Sequence, residues 1–155
     1  MPININSHLD DLDIQILKLL INECRIPYLE IARICHVSGG TVHVRMKKME
    51  DLGIIKGSRI NLDLPKLGYD VCCFVGIYVD KIAHLNSVLE GINSIEEVVE
   101  LHLTTGDYTM FAKIVCSNIK DLQNILLEKL NKIDGIQRTD TFLSLSQPID
   151  RDISI

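Results

Sequence analysis

The first third of the chain carries three short helical periodicities in close succession. Leu12, Ile16, Leu19 and Leu20 form the apolar stripe of a first helix, the spacing expected when one face packs inward. Asp10, with Asp13 three residues on, is placed to cap it. Residues 22–26 read as a turn. Pro27 suits the first position of a second helix, whose buried face is drawn from Leu29, Ile31, Ala32 and Ile34. His36-Val37-Ser38 reads as a tight turn, with Ser38 as the N-cap of a third helix that runs to Leu52 and stops at Gly53. Val42, Met46, Met49 and Leu52 fall on one side of that helix. Gly40, Thr41, His43, Val44, Lys47 and Lys48 fall on the other. Ile54-Ile55 and residues 56–62 then read as strand, turn and strand, a small wing beside the helices. Residues 1–9 read as a loose arm.

Pro65 and Gly68 punctuate residues 63–68. They divide the chain into a first unit of residues 1–64 and a second of residues 65–155, whose first strand opens after residue 69. Val71–Val79 is apolar on both faces: Val71, Cys73, Val75, Ile77 and Val79 on one, Cys72, Phe74, Gly76 and Tyr78 on the other. A sheet covered by helices on one side only would show a polar second face. The second face therefore asks for another sheet or another subunit. Ile82, Leu85, Val88, Leu89 and Ile92 follow at helical spacing. Two strands, 98–104 and 108–115, flank a Thr105-Gly106-Asp107 turn. Asn118 with Asp121 caps a helix that buries Ile119, Leu122, Ile125, Leu126, Leu130 and Ile133, and residues 137–145 form the last strand. The order is β-α-β-β-α-β. Ile92, Ile95 and Val98 are echoed by Leu130, Ile133 and Ile136, as in a sandwich of two related halves. The expected fold class is α+β: an N-terminal winged helix-turn-helix and a C-terminal ferredoxin-like sandwich.

Charge changes the picture more than composition does. The net charge is −5, which by itself argues against a polyanionic partner. Its distribution does not. Residues 1–66 hold nine Lys/Arg against eight Asp/Glu, whereas residues 67–155 hold seven against thirteen. Arg45, Lys47, Lys48, Lys56 and Arg59 cluster on the third helix and the segment after it, and the local field governs docking on phosphates. The five Cys are odd in number and lack C-x-x-C spacing, so they read as reduced, core-filling thiols, Cys24 and Cys35 included, of a cytoplasmic protein. No metal site is expected, since no Cys or His stand at ligand spacing on a shared face. The N-terminus has no apolar stretch of a secretory signal, and no segment reads as a membrane span.

A helix with a small, polar N-terminal end and a basic outer face suits a DNA major groove. Ser38 can offer its hydroxyl or backbone N–H to a phosphate, or act as a plain cap. Gly40, Thr41, His43 and Val44 are the candidates for base edges, Thr41 and Val44 through methyl groups that can meet thymine. His43 is equally a solvated surface residue. Lys47, Lys48, Lys56 and Arg59 are candidate phosphate contacts. Arg45 either joins them or pairs with Glu50 or another acid to brace the motif. His102, Asp107, Tyr108 and Cys116 include no nucleophile–base pair with motif support, so the chain does not read as an enzyme.

These residues resemble the Lrp/AsnC family of bacterial and archaeal regulators. The resemblance runs through Leu9-Asp10-x-x-Asp13-x-x-Ile16-Leu17, Ile31-Ala32, Val37-Ser38-x-x-Thr41-Val42-x-x-Arg45, Gly53-Ile54-Ile55-Lys56-Gly57, Leu67-Gly68-Tyr69 and Thr104-Thr105-Gly106-Asp107-Tyr108. It covers nearly the whole chain. Thr41–Arg45, Leu67–Gly76 and Thr104–Tyr108 are most similar to the asparagine-responsive members. Thr109, where many members have Asp, points the same way. The resemblance implies a regulator of amino-acid metabolism genes, nucleoid-associated, that binds double-stranded DNA as a homodimer and assembles to an octamer or similar disc. It implies no cofactor and an amino-acid effector, asparagine by subtype; a different amino acid, or none, is the alternative. In the implied pocket, which includes Thr104 and Thr105, Asp107 can pair the ammonium and backbone N–H groups around Gly106 and Tyr108 can hold the carboxylate. Gly106-Asp107 is also a simple hairpin turn, and the two readings are compatible. Gln137, Thr139 and Thr141 complete the pocket and read a side-chain amide. Thr-x-Thr is also ordinary strand composition.

Overall fold

The computed structural model describes residues 9–153 and 155, so the N-terminal arm lies almost wholly outside the described residues. Contacts divide the chain into two compact units, Met1–Asn61 with Ile149–Ile155, and Leu62–Pro148.

The first unit is built on three helices: α1 (Asp11–Asn22), α2 (Tyr28–Ile34) and α3 (Gly39–Asp51). Asp10 caps α1 in a reciprocal capping box with Asp13, which satisfies two orphan N–H groups at once. Ser38 caps α3 by accepting from the Thr41 N–H at 3.1 Å. Pro27 precedes α2 with no side-chain cap. Ile16, Ile31, Ala32, Val42, Met46 and Met49 form the core.

The apolar stripes are narrower than their sequence suggests. Leu29, Ile34 and Leu52 are exposed. At 100° per residue, Leu29 and Ile34 sit beyond either edge of the Ile31–Ala32 face, and Leu52 is the C-cap of α3. Cys24 is exposed because it falls in the turn after α1 rather than within it. Residues 54–62 carry no strand pairing among the described residues. The wing position is occupied by extended chain, in keeping with the marginal stability of an isolated two-stranded ribbon.

The second unit is one antiparallel sheet in the order β2-β3-β1-β4, with β1 Val71–Val79, β2 Val98–Leu103, β3 Met110–Cys116 and β4 Ile136–Leu143. Helices α4 (Leu85–Asn93) and α5 (Ile119–Asn124) supply the crossovers. α5 runs on into a π-helical turn at Ile125–Lys129 and a 3-10 turn at Leu130–Lys132. The core takes Cys73, Val75 and Ile77 from β1, Met110, Ala112 and Ile114 from β3, and Val88, Ile92, Leu122, Ile125 and Leu130 from the helical segments. Ile82 and Ile119 lie outside it; the first sits in a 3-10 turn ahead of α4, the second at the first position of α5.

The sequence echo has a structural meaning. Ile95 N–H donates to Ile92 O and Val98 N–H to Ile95 O. Ile133 N–H donates to Leu130 O and Ile136 N–H to Ile133 O. Both helix-to-strand junctions thus use the same pair of i→i+3 bonds.

The sheet face opposite the core is aromatic. Phe74 and Phe111 stack at 6.0 Å, Tyr78 meets Tyr108 edge-on at 5.1 Å, and Phe142 lies 6.3 Å from both Tyr108 and Phe111.

Candidate nucleic-acid interface and ligand site

Helix α3 presents Gly40, His43, Val44 and Lys47 to solvent, with Ser38 just ahead of them. Thr41 is half-buried, its hydroxyl 2.8 Å from the Ser38 hydroxyl. His43 lies 6.0 Å from the Tyr28 ring of α2. The chain enters α3 through His36, which holds φ 55°, a left-handed conformation unfavourable for a residue with a Cβ. Lys56 and Arg59 lie on the extended segment after α3 and are exposed.

Two of the candidate cations turn inward. Asp13 has no exposed surface. Its Oδ1 accepts from Arg45 Nη1 at 3.2 Å and its Oδ2 from Lys48 Nζ at 2.6 Å. Arg45 also pairs with Asp10, whose carboxylate is held below its usual range by the Asp13 N–H and by that guanidinium. Only the Asp13 carboxylate is fully buried, and the two cations that neutralise it reach solvent at their other side. Arg45 therefore braces α3 against α1, on acids other than Glu50. The pairing was missed because Asp10 and Asp13 are already explained as a cap. The signal was there: two cations three residues apart on α3 share a flank and can meet one carboxylate. Lys47 has only a loose surface contact with Asp51 at 3.5 Å.

In the second unit, residues 104–109 join β2 to β3. Thr104 Oγ1 donates to Tyr108 O at 2.7 Å, and Thr104 N–H to Thr109 O at 3.1 Å. The turn is closed by its own hydroxyl, with Gly106 at φ 103°, where only glycine is unstrained. Thr105 and Asp107 are exposed. The Asp107 carboxylate takes no hydrogen bond or ion pair among the described residues. Thr109 ties the turn to β1: its N–H donates to Ile77 O at 2.9 Å and its hydroxyl accepts from the Val79 N–H at 3.2 Å.

The rest of the expected pocket is split by the sheet. Thr139 and Thr141 stand opposite Ile77 and Val75, so they share the helix-covered face. Thr139 accordingly reaches Asn131 at 3.5 Å. The Tyr108 ring packs on the other face, beside Tyr78. Within one chain these two sets are not brought together. Gln137 is the extra residue of a bulge, since Ile136 pairs with Val79 and Arg138 with Tyr78. Bulges commonly re-aim a side chain next to a site. Gln137 lines a cavity of about 280 Å³ with Tyr78 and Arg138.

Arg138, unanticipated from sequence, lies 4.0 Å over the Tyr78 ring and donates to Asp140 at 3.2 Å. Partial desolvation pushes the Tyr108 phenol above its ordinary value.

Residues 9–56 match the profile described as winged helix-turn-helix DNA-binding, and residues 72–153 match the Lrp/AsnC ligand binding domain. The chain is 44% identical to Regulatory protein AsnC of Haemophilus influenzae over 94% of its own length and 97% of the relative's. It is 43% identical to Regulatory protein AsnC of Escherichia coli over 96% and 97%. The solved structure of E. coli AsnC superposes with a TM-score of 0.89, covering 94% of this chain and 97% of that one. A Neisseria meningitidis regulator solved with L-Met shares the fold at 19% identity and a TM-score of 0.87.

Proposed function

The chain belongs to the Lrp/AsnC family of DNA-binding regulatory proteins, and from that premise we propose that it controls transcription in response to a free amino acid, asparagine in the first instance. The observation that carries the sensing half is the exposed Asp107 carboxylate, unpaired among the described residues, on a turn held rigid by Thr104 and Thr109. An ammonium group supplies its partner. The N–H groups around Gly106 and Tyr108 form the complementary anion cradle. Asparagine is favoured because the 43–44% identical relatives bear the AsnC name.

For the DNA half, Ser38, Gly40, Thr41, His43 and Val44 meet the groove, with Lys47, Lys56 and Arg59 on phosphates. The working unit is a homodimer. The aromatic sheet face of Phe74, Phe111, Tyr108 and Phe142 is too apolar to stay wet, and a second copy of the same sheet covers it symmetrically. Dimers then assemble further, with Gln137, Thr139 and Thr141 of one copy facing the Thr104–Tyr108 turn of another. That arrangement accounts for a pocket incomplete within one chain. Binding that favours one assembly shifts DNA occupancy by its differential affinity. The protein acts on chromosomal DNA in the cytoplasm.

Calorimetry with asparagine and leucine, run beside duplex titrations in the presence and absence of each, tests the reading. Preferential asparagine binding that changes duplex affinity supports it. Silence of every common amino acid removes the sensing half. Absence of affinity for any duplex at low ionic strength removes the whole.

A further inference from the structure

We infer that Asp13, a residue of α1, determines how selective α3 is for its DNA. It holds Arg45 and Lys48 inward and so withholds two positive charges from the phosphate backbone. The inference rests on the reading that α3 lies on a duplex.

Both oxygens of the Asp13 carboxylate are occupied. Oδ1 takes Arg45 at 3.2 Å. Oδ2 takes Lys48 at 2.6 Å and the Asp10 N–H at 3.2 Å. Asp10, fixed in turn by the Asp13 N–H at 3.0 Å, grips Arg45 a second time. The capping box of α1 thus doubles as a socket for two α3 side chains. Asp13 is fully buried, while the Arg45 and Lys48 side chains are 28% and 38% exposed. A phosphate that draws on Lys48 competes with a carboxylate that water does not reach, and Asp13 offsets the charge that Lys48 would bring to it. The Lys47 side chain is 71% exposed, and its surface pair with Asp51 competes weakly.

Two of the three α3 cations are therefore spent on holding the helix, and one is offered to DNA. Attraction between cations and phosphates supplies nearly all sequence-independent binding, whereas base edges supply the discrimination. Withholding Arg45 and Lys48 lowers the first and spares the contacts from Gly40, Thr41, His43 and Val44. The ratio of specific to random binding widens.

The test compares Lys47→Gln, Lys48→Gln and Asp13→Asn in the full chain. Dissociation constants are measured against salt on a duplex selected by the chain from a random pool, and on a random-sequence duplex of equal length. Lys47→Gln is expected to flatten the log–log salt slope by about 0.9. Lys48→Gln is expected to keep the wild-type slope. Asp13→Asn is expected to steepen it by about 0.9 as Lys48 is released while Asp10 keeps Arg45, tightening the random duplex more than the selected one. Circular dichroism verifies that Asp13→Asn is folded, and Lys48→Gln carries the test without it. Equal flattening by Lys48→Gln and Lys47→Gln overturns the inference and leaves the docking of α3 intact. A folded Asp13→Asn with the wild-type slope overturns it as well. Wild-type protein that binds neither duplex overturns the docking of α3, and this inference with it.

Discussion

The ring of Tyr108 rests on the backbone of Gly76, so closely that a methyl group at position 76 would overlap it. Gly76 lies in the interior of β1, opposite Phe111 on one side and Asp140 on the other. A strand interior normally excludes glycine. Here the missing side chain makes room for the residue that ends the Gly106 turn. Gly76→Ala is expected to displace the ring and cost about 1–3 kcal/mol of stability through overpacking. Amino-acid affinity should fall with it while duplex binding persists. Denaturant unfolding and calorimetry measure both, and unchanged affinity would show that the ring does not set the turn.

Removing the charge at position 107 should separate the two functions. Asp107→Asn keeps the shape of the turn and leaves an ammonium without its counter-charge. The expected result is full duplex affinity with a response to asparagine weakened at least tenfold. A titration of duplex binding against asparagine reads it directly, and an unaltered midpoint would take Asp107 out of the pocket.

His36 holds the left-handed turn between α2 and α3 without being glycine. His36→Gly relieves strain on the order of 1–2 kcal/mol and gives back part of it as unfolded-state entropy. A net gain of about 0.5–1 kcal/mol in the first unit should appear in urea melts.

Acid should loosen the second unit through Glu97. Lys129 donates to both its oxygens, at 2.6 and 2.9 Å, and holds its carboxyl below the usual range. A depressed native pKa means stability that is present above the unfolded value, about 4.3, and lost as pH falls through the lower native one. The stability difference between wild type and Glu97→Gln should therefore be largest at neutral pH and shrink below about pH 4.3. A difference constant down to pH 3 would remove the pair from the acid response.

The cysteines should react in order of burial. Cys24 is exposed, whereas Cys73 is buried with its thiol pushed up to about 11 by desolvation. A thiol reagent at pH 8 should label Cys24 in the native state and Cys73 only on unfolding, since the thiolate is the nucleophile. Native-state labelling of Cys73 would mean that the core opens.

Local signals were legible, and long-range ones were not. The caps at Asp10, Ser38 and Asn118, the order of strands and helices, the doubly apolar β1 and the repeated junctions at Ile92–Val98 and Leu130–Ile136 all follow from neighbours within a few residues. The full chain also resembled its family at spacings that fix both units. The width of the apolar faces was overdrawn at Leu29, Ile34, Leu52 and Ile119. Periodicity marks a direction but not how far a short helix can turn before it meets water. The Asp13 socket and the Arg138–Tyr78 stack join residues from distant parts of the chain, and nothing local announces such pairs. Which face of the sheet receives Thr139 depends on register across β1, and in β4 a bulge at Gln137 sets that register.

The π-helical turn after α5 holds one residue more than a regular helix would need to point both Ile125 and Leu130 at the sheet. Leu130 N–H divides its bond between the carbonyls of Ile125 and Leu126, so the surplus is absorbed without an orphaned donor. Shortening the chain by one residue within 126–129 would convert that stretch to a regular coil of the same handedness and keep both anchors in place. This stretch is a natural point for length variation, whereas the same deletion in α3 would turn every side chain beyond it by about 100° around the helix axis.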